Sequence, residues 1–239
     1  MYKRQQLTLS QQQFFIGEGE EVGRQWQIPL NSNYEAAPAI MKDQAVTVGD
    51  YAKLRDASGQ PFRLNVGNNS HFIVKYDQTL LDDILAHVDD LTAIDQLQLL
   101  QDLRLLAEGR QISYAAVVPL LSRFAASHST VVNAALYQVA GNLRKFVTPD
   151  SDEEKHLQTL FDQLSAAQVK RLGWLPQAGE SNDDQLTRPY VLSAALYAKN
   201  SAAVLAAHEL FEGNRDKLAT LPADVRGFIL RLSLIHISE

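Results

Sequence analysis

The chain is predicted to be mainly α, with a small β-sandwich at its N-terminus and an α-helical superhelix after it. Three observations lead there. Up to Asp77 the apolar residues alternate in short runs punctuated by Gly, Pro and Asn. Past Asp77 they recur at i, i+3/i+4 and i+7 in longer segments, the signature of helices with one buried face. These segments number seven or eight, joined by short links without a strict repeat, which predicts stacked antiparallel pairs rather than a single bundle. The expected domains are 1–77 for the sandwich, 78–231 for the superhelix and 232–239 for a tail foreign to both.

Strands come first. Leu7 and Leu9 alternate ahead of Phe14, Phe15 and Ile16; the glycine-rich turn from Gly17 to Gly23 then leads to Trp26, Ile28 and Leu30 on one face. Tyr34 to Lys42 and Ala45 to Val48 carry weaker alternation, and Ser58 to Pro61 is a loop. Phe62, Leu64 and Val66, then Phe72, Val74 and Tyr76, flank Gly67-Asn-Asn-Ser70, so a β-hairpin is predicted over 61–77. Six or seven short strands in all fit a sandwich.

Asp77 opens the first helix, carrying Leu80, Leu81, Ile84, Leu85 and Val88. Thr92 and Asp95 have capping-box spacing, and Ile94, Leu97, Leu99, Leu100, Leu103, Leu105 and Leu106 cover more than one face before Gly109, predicting a central buried helix. Pro119 lies several residues inside the next segment, where a missing N–H costs roughly 3 kcal/mol, so a kink is predicted between Ala115 and Pro119. Val132, Leu136, Val139 and Leu143 mark another helix. Ser151 to Glu154 is a second capping box, and the helix it opens ends at Gly173. Leu186 to Lys199 and Ser201 to Glu212 form a pair joined at Asn200, and Pro222 sits in a final first turn. The whole is a HEAT/armadillo-like α-α array.

The ends of the chain look foreign to this plan. Met1-Tyr-Lys-Arg4 runs into a strand pattern as if the chain enters a domain midway, and Leu232 to Glu239 lack periodicity and read as an adaptor- or vector-derived tail, with the natural chain expected to stop near Arg231.

Composition narrows the classes of function. The 239 residues are 46% apolar, and 22 Lys plus Arg stand against 28 Asp plus Glu for a net charge of −6, without a basic block on which nucleic acid or an anionic membrane could dock. There is no cysteine, so thiolate metal sites and cysteine nucleophiles are excluded and a cytoplasmic setting is expected. No apolar run of membrane-spanning length occurs.

Chemistry is sparse. His208-Glu-Leu-Phe-Glu212 approximates the zinc-binding His-Glu-x-x-His helix, but Glu212 stands where the second imidazole belongs and no other segment offers a third ligand. His208 is in phase with Val204 and Phe211, predicting an inward, packed side chain. His71, His87, His128 and His156 show no ligand spacing, no Gly-x-Ser-x-Gly elbow is present, and the Gly17 and Gly67 loops lack the third glycine and the helix that phosphate binding requires. Trp26 and Trp174 are expected to anchor packing. No catalytic, cofactor-binding or metal-ligating residue is therefore expected in this chain.

The ordered set Trp26-Gln-Ile-Pro-Leu30, Leu64-Asn-Val-Gly67, Phe72-Ile-Val-Lys-Tyr-Asp77, Gln98-Leu-Leu-Gln-Asp-Leu103 with Leu106-Ala107, Leu172-Gly-Trp174 with Arg188, and Leu221-Pro-Ala-Asp-Val-Arg226 resembles the C-terminal half of the aminopeptidase N family of zinc metallopeptidases. The resemblance reaches to about Arg231. It implies a β-sandwich and a helical superhelix that close over a catalytic domain of the same polypeptide, zinc in that full-length parent and none in this chain, and peptide substrates, with no nucleic acid or membrane partner. The family's zinc helix and amino-terminus-binding motif lie upstream of anything here. Its usual aromatic-Arg-Val pattern is Phe72-Ile73-Val74 in this chain, so no role of that arginine carries over. The alternative is a freestanding helical-repeat module whose concave face binds protein or peptide.

Overall fold

A computed structural model describes residues 5–236. It has the predicted class, mainly helical with a small two-sheet β part at the N-terminus. The chain packs as two compact units, one up to Val118 and the other from Pro119 onward.

Among the described residues of the first unit there are four strands rather than six or seven. β1 (Gln6–Ser10) pairs antiparallel with β4 (Ala45–Asp50), with a bulge between Leu7 and Thr8, and β2 (Ile28–Pro29) pairs antiparallel with β3 (Ile40–Met41). Gln11 joins the two sheets: its amide donates to the carbonyls of Trp26 and Asp43, both at 3.0 Å, and accepts from Trp26 N at 2.8 Å. Leu7, Leu9, Leu30, Met41, Phe62 and Val74 fill the core beside Tyr34, whose ring meets Phe62 edge-on at 5.2 Å. Trp26 is no anchor. The residue is 40% exposed, with Gln11 holding its backbone.

α1 (Tyr51–Ser58) has no counterpart in the sequence reading. Its signals are local: the Asp50 carboxylate accepts from Lys53 N, and Gly59, at φ +70°, closes the helix in the left-handed region that glycine adopts without strain. Asp77 caps α2 (Gln78–Ala86) by accepting from Leu80 N. α3 (Ala93–Glu108) is the buried beam of this unit, with Leu100 and Leu103 at 0% and 4% exposure, although Ile94 in its first turn is 43% exposed. α4 (Tyr114–Val117) is capped by Ser113 and gives way to 3-10 geometry over Val118–Phe124, the break expected from Pro119.

The second unit is built on α5 (Thr130–Asn142), α6 (Asp152–Leu172), α7 (Asn182–Tyr197), α8 (Ser201–Asn214) and α9 (Ala223–His236). Contacts at the helix ends set directions. Arg171 near the end of α6 pairs with Asp184 at the start of α7, and Tyr197 at the end of α7 donates to Glu154 at the start of α6, so the two are antiparallel. Thr130 meets Thr187 at 3.1 Å, which sets α5 alongside α7 in the same direction. α5 is buried on most sides, through Val132, Leu136, Val139 and Ala140. The predicted ends of α6 recur, with Ser151 accepting from Glu154 N and Gly173 closing the helix at φ +62°, and Asn200, expected only as a joint, caps α8 by accepting from Ala203 N. α9 takes in residues 232–236 of the expected tail, and residues 237–239 lie outside the described residues.

Candidate functional site

Residues 61–77 contain no strand, so the predicted hairpin is absent. Asn65, at φ +54°, folds its side chain back onto Ser70, accepting from Ser70 N at 2.7 Å and donating to Ser70 O at 2.8 Å. That turn puts the two arms out of register with each other, and their backbone groups find partners elsewhere. Asn65 N donates to Leu30 O and Val66 N to Asn31 O. Leu64 N donates to the Tyr76 hydroxyl at 3.0 Å.

The remaining amides go to α3. Asp95, Gln98 and Asp102 fall at i, i+3 and i+7, one polar stripe on a leucine-rich helix, and all three are buried. Gly67 N donates to Asp95 Oδ1 at 2.7 Å and Val74 N to Asp102 Oδ2 at 3.2 Å, while Gln98 donates to Leu64 O at 3.5 Å. Arg63 Nη1 lies 2.9 Å from Asp95 Oδ2, and the Thr92 hydroxyl donates to the same oxygen at 2.8 Å. Asp95 thus turns away from the Thr92 backbone amide expected of a capping box and toward the strap formed by residues 62–76. Between strap and helix is a cavity of about 20 Å³, lined by Arg63, Leu64, Tyr76, Ile84, Leu91, Asp95, Gln98, Leu99 and Asp102.

Two carboxylates on one helix face therefore differ in acidity. Burial alone would raise Asp95, but the Gly67 amide, Arg63 and Thr92 outweigh it and hold the group below the usual carboxylate range. Burial pushes Asp102 up to about 7, because the Val74 amide and Gln98 are neutral donors that offset desolvation only in part. Burial likewise raises the Tyr76 hydroxyl.

A second polar constellation lies in the other unit, at the corner between α6 and α7. Arg188, 3% exposed, donates from Nη1 to Glu180 Oε1 at 3.1 Å and from Nη2 to both Glu180 Oε2 and the Leu172 carbonyl, the latter at 3.3 Å. Leu172 O is thereby satisfied where α6 ends at Gly173. Trp174 leaves the corner to pack, with Leu210 and Phe211, on Leu221, Val225 and Ile229. Gly173, Trp174, Leu175 and Gln177 face Ala206, Glu209, Leu210 and Asn214 across an open groove of about 470 Å³.

The segments that the sequence singles out thus converge in two places. Leu64 to Gly67, Phe72 to Asp77 and Gln98 to Leu103 meet at the strap; Leu172 and Arg188 meet at the corner, from which Trp174 reaches Leu221 and Val225. The histidines do not converge. His208 is exposed, not inward, because α8 packs through Ala203 and Ala207, and Glu212 pairs with Arg215 at 2.6 Å. His71, His128 and His156 are exposed as well, and His87 sits beside Asp83 and Arg55. Among the described residues no three His, Cys, Asp or Glu side chains are grouped to hold a metal ion. No helix among them is long and apolar enough to cross a membrane.

The sequence model of the ERAP1-like C-terminal domain family matches residues 62–236. Aminopeptidase N of Lactobacillus helveticus is 59% identical over 224 residues, which are 94% of this chain and 26% of that protein. Aminopeptidase N of Lactobacillus delbrueckii subsp. lactis is 58% identical over the same shares. For aminopeptidase N of Lactococcus lactis subsp. cremoris strain MG1363 the identity is 40% over 225 residues, 94% of this chain and 27% of that protein. The chain spans about a quarter of the length of these relatives.

Proposed function

The chain belongs to the ERAP1-like C-terminal domain family, and from that premise we propose that it is the non-catalytic C-terminal region of a cytoplasmic zinc aminopeptidase that removes N-terminal residues from peptides. One observation carries the reading: 59% identity to an aminopeptidase N runs through 94% of the chain and takes in both the strap and the α6–α7 corner. Among the described residues none fit zinc, since His208 and Glu212 lack a third ligand there and Glu212 is committed to Arg215. Zinc and the groups that act on the peptide bond are assigned to the rest of the parent polypeptide. The part left to this region is mechanical. A wall of packed helices over the catalytic part restricts water and admits the end of a flexible peptide while excluding a folded protein. The test compares the purified parent with this chain alone, each dialysed and assayed for zinc and for aminoacyl hydrolysis. The parent should carry near-stoichiometric zinc and hydrolyse the substrate while this chain does neither. Hydrolysis by this chain, or bound zinc lost on His208→Ala, would overturn the assignment.

A further inference from the structure

We propose that Asp102 is a pH-sensitive latch holding the 62–76 strap on α3, closed while its carboxyl carries a proton and weakened when it ionises. The geometry sets Asp102 apart from Asp95. Asp95 has a cation, a hydroxyl and a short amide bond; Asp102 has the Val74 amide at 3.2 Å and Gln98 Nε2 at 3.4 Å, both neutral donors. The charged and titratable groups lining the shared cavity are Arg63 and Tyr76 from the strap and Asp95 from α3; Ile84 of α2 and Leu91 after it contribute only apolar surface. Arg63 is committed to Asp95 through Nη1. A cavity of about 20 Å³ has room for a water molecule but not for a hydrated counter-ion. An ionised Asp102 therefore reaches bulk water, beyond what a single enclosed water can offer, only by opening the strap.

The direction follows from linkage. Asp102 is pushed up to about 7 in the closed state, against about 3.9 for an exposed aspartate. Between those values the closed strap binds a proton that the open strap does not. Opening therefore becomes more favourable by about tenfold per pH unit as pH rises from about 4, and levels off above about 7. Asp95 acts oppositely: its carboxyl is held below the usual range, so its contribution is present above about pH 3.9 and is lost as pH falls through its lower value. The strap is thus most firmly closed in mildly acidic solution.

Amide hydrogen exchange of Val74 in the 239-residue chain, corrected for intrinsic exchange and followed from pH 5 to 8.5, tests the latch. Protection should fall about tenfold per pH unit up to near 7 and then stay level. Asp102→Asn, which keeps an acceptor for Val74 N, should flatten the profile and raise protection at pH 8 at least about tenfold. A flat wild-type profile, or an unchanged slope in the variant, overturns the proposal. Independently of any variant, the Asp102 carboxyl carbon resonance in the wild-type chain should titrate near pH 7, and a midpoint below about 5 overturns it too.

Discussion

The strap in the first unit and the 173–181 corner in the second are both polar, glycine-containing connections, and they are held by opposite means. The strap offers backbone N–H groups, which are taken by carboxylates on a helix that follows in sequence: Gly67 and Asp95 are 28 residues apart. The corner offers a backbone carbonyl and a carboxylate, taken by one guanidinium from the helix that follows it, with Arg188 only 8 residues past Glu180. A connection in place of regular structure needs partners for its backbone, and the sign of those partners fixes what it responds to. Amides held by carboxylates are sensitive to protons. A carbonyl and a carboxylate held by arginine, which stays charged at all ordinary pH, do not depend on protonation of the cation.

The largest expected effect removes what the strap rests on. Leu100→Ala, at a fully buried position of α3, should destabilise the first unit by about 2–5 kcal/mol in chemical denaturation. A near-neutral result would mean that α3 is not its beam. Next comes the corner. Arg188→Ala removes the guanidinium from the Leu172 carbonyl and Glu180, leaving them only Gln177 Nε2 at 3.5 Å and Gln177 N at 3.0 Å, so the melting temperature should fall and amides over 173–181 should lose exchange protection. Arg188→Lys should restore little, since a single ammonium cannot reproduce the forked contact. Unchanged protection in Arg188→Ala would erase the contrast between the two connections. Smaller is Asp95→Ala, which strands the Gly67 amide and Arg63 and should cost about 1–3 kcal/mol, with Gly67 losing exchange protection more than Asn65, whose amide donates to Leu30 O. Equal losses at both would show that the strap opens as a whole.

What was legible in the sequence was local. Thr92 and Ser151 cap α3 and α6 as their spacing predicts, and Gly173 and Pro119 act where they stand, because each cap or break is decided within a turn of chain. The hairpin failed because alternation of Phe62, Leu64, Val66, Phe72, Val74 and Tyr76 says which side chains turn inward but not what the amides bind. The acceptors sat in another element, as Asp95 and Asp102 within a leucine-rich run whose buried polar stripe was hidden by its apolar neighbours. α1 was missed although Asp50 and Gly59 bracket it, since Tyr51 to Ser58 shows little apolar periodicity. His208 pointed the wrong way in the prediction because alanines, not the larger residues, define the packed face of α8.

The parent polypeptide, with and without residues 78–231, offers the most direct test of the role proposed for this region. The measurement is kcat/KM for a dipeptide and for a longer peptide in each form, together with the soluble yield. If these helices close over the catalytic part, deletion exposes apolar surface and removes a wall that orients the substrate, so yield and kcat/KM should both drop and the ratio between the two substrates should change. Equal kcat/KM on both substrates in both forms would contradict the enclosing role and favour an independent binding module.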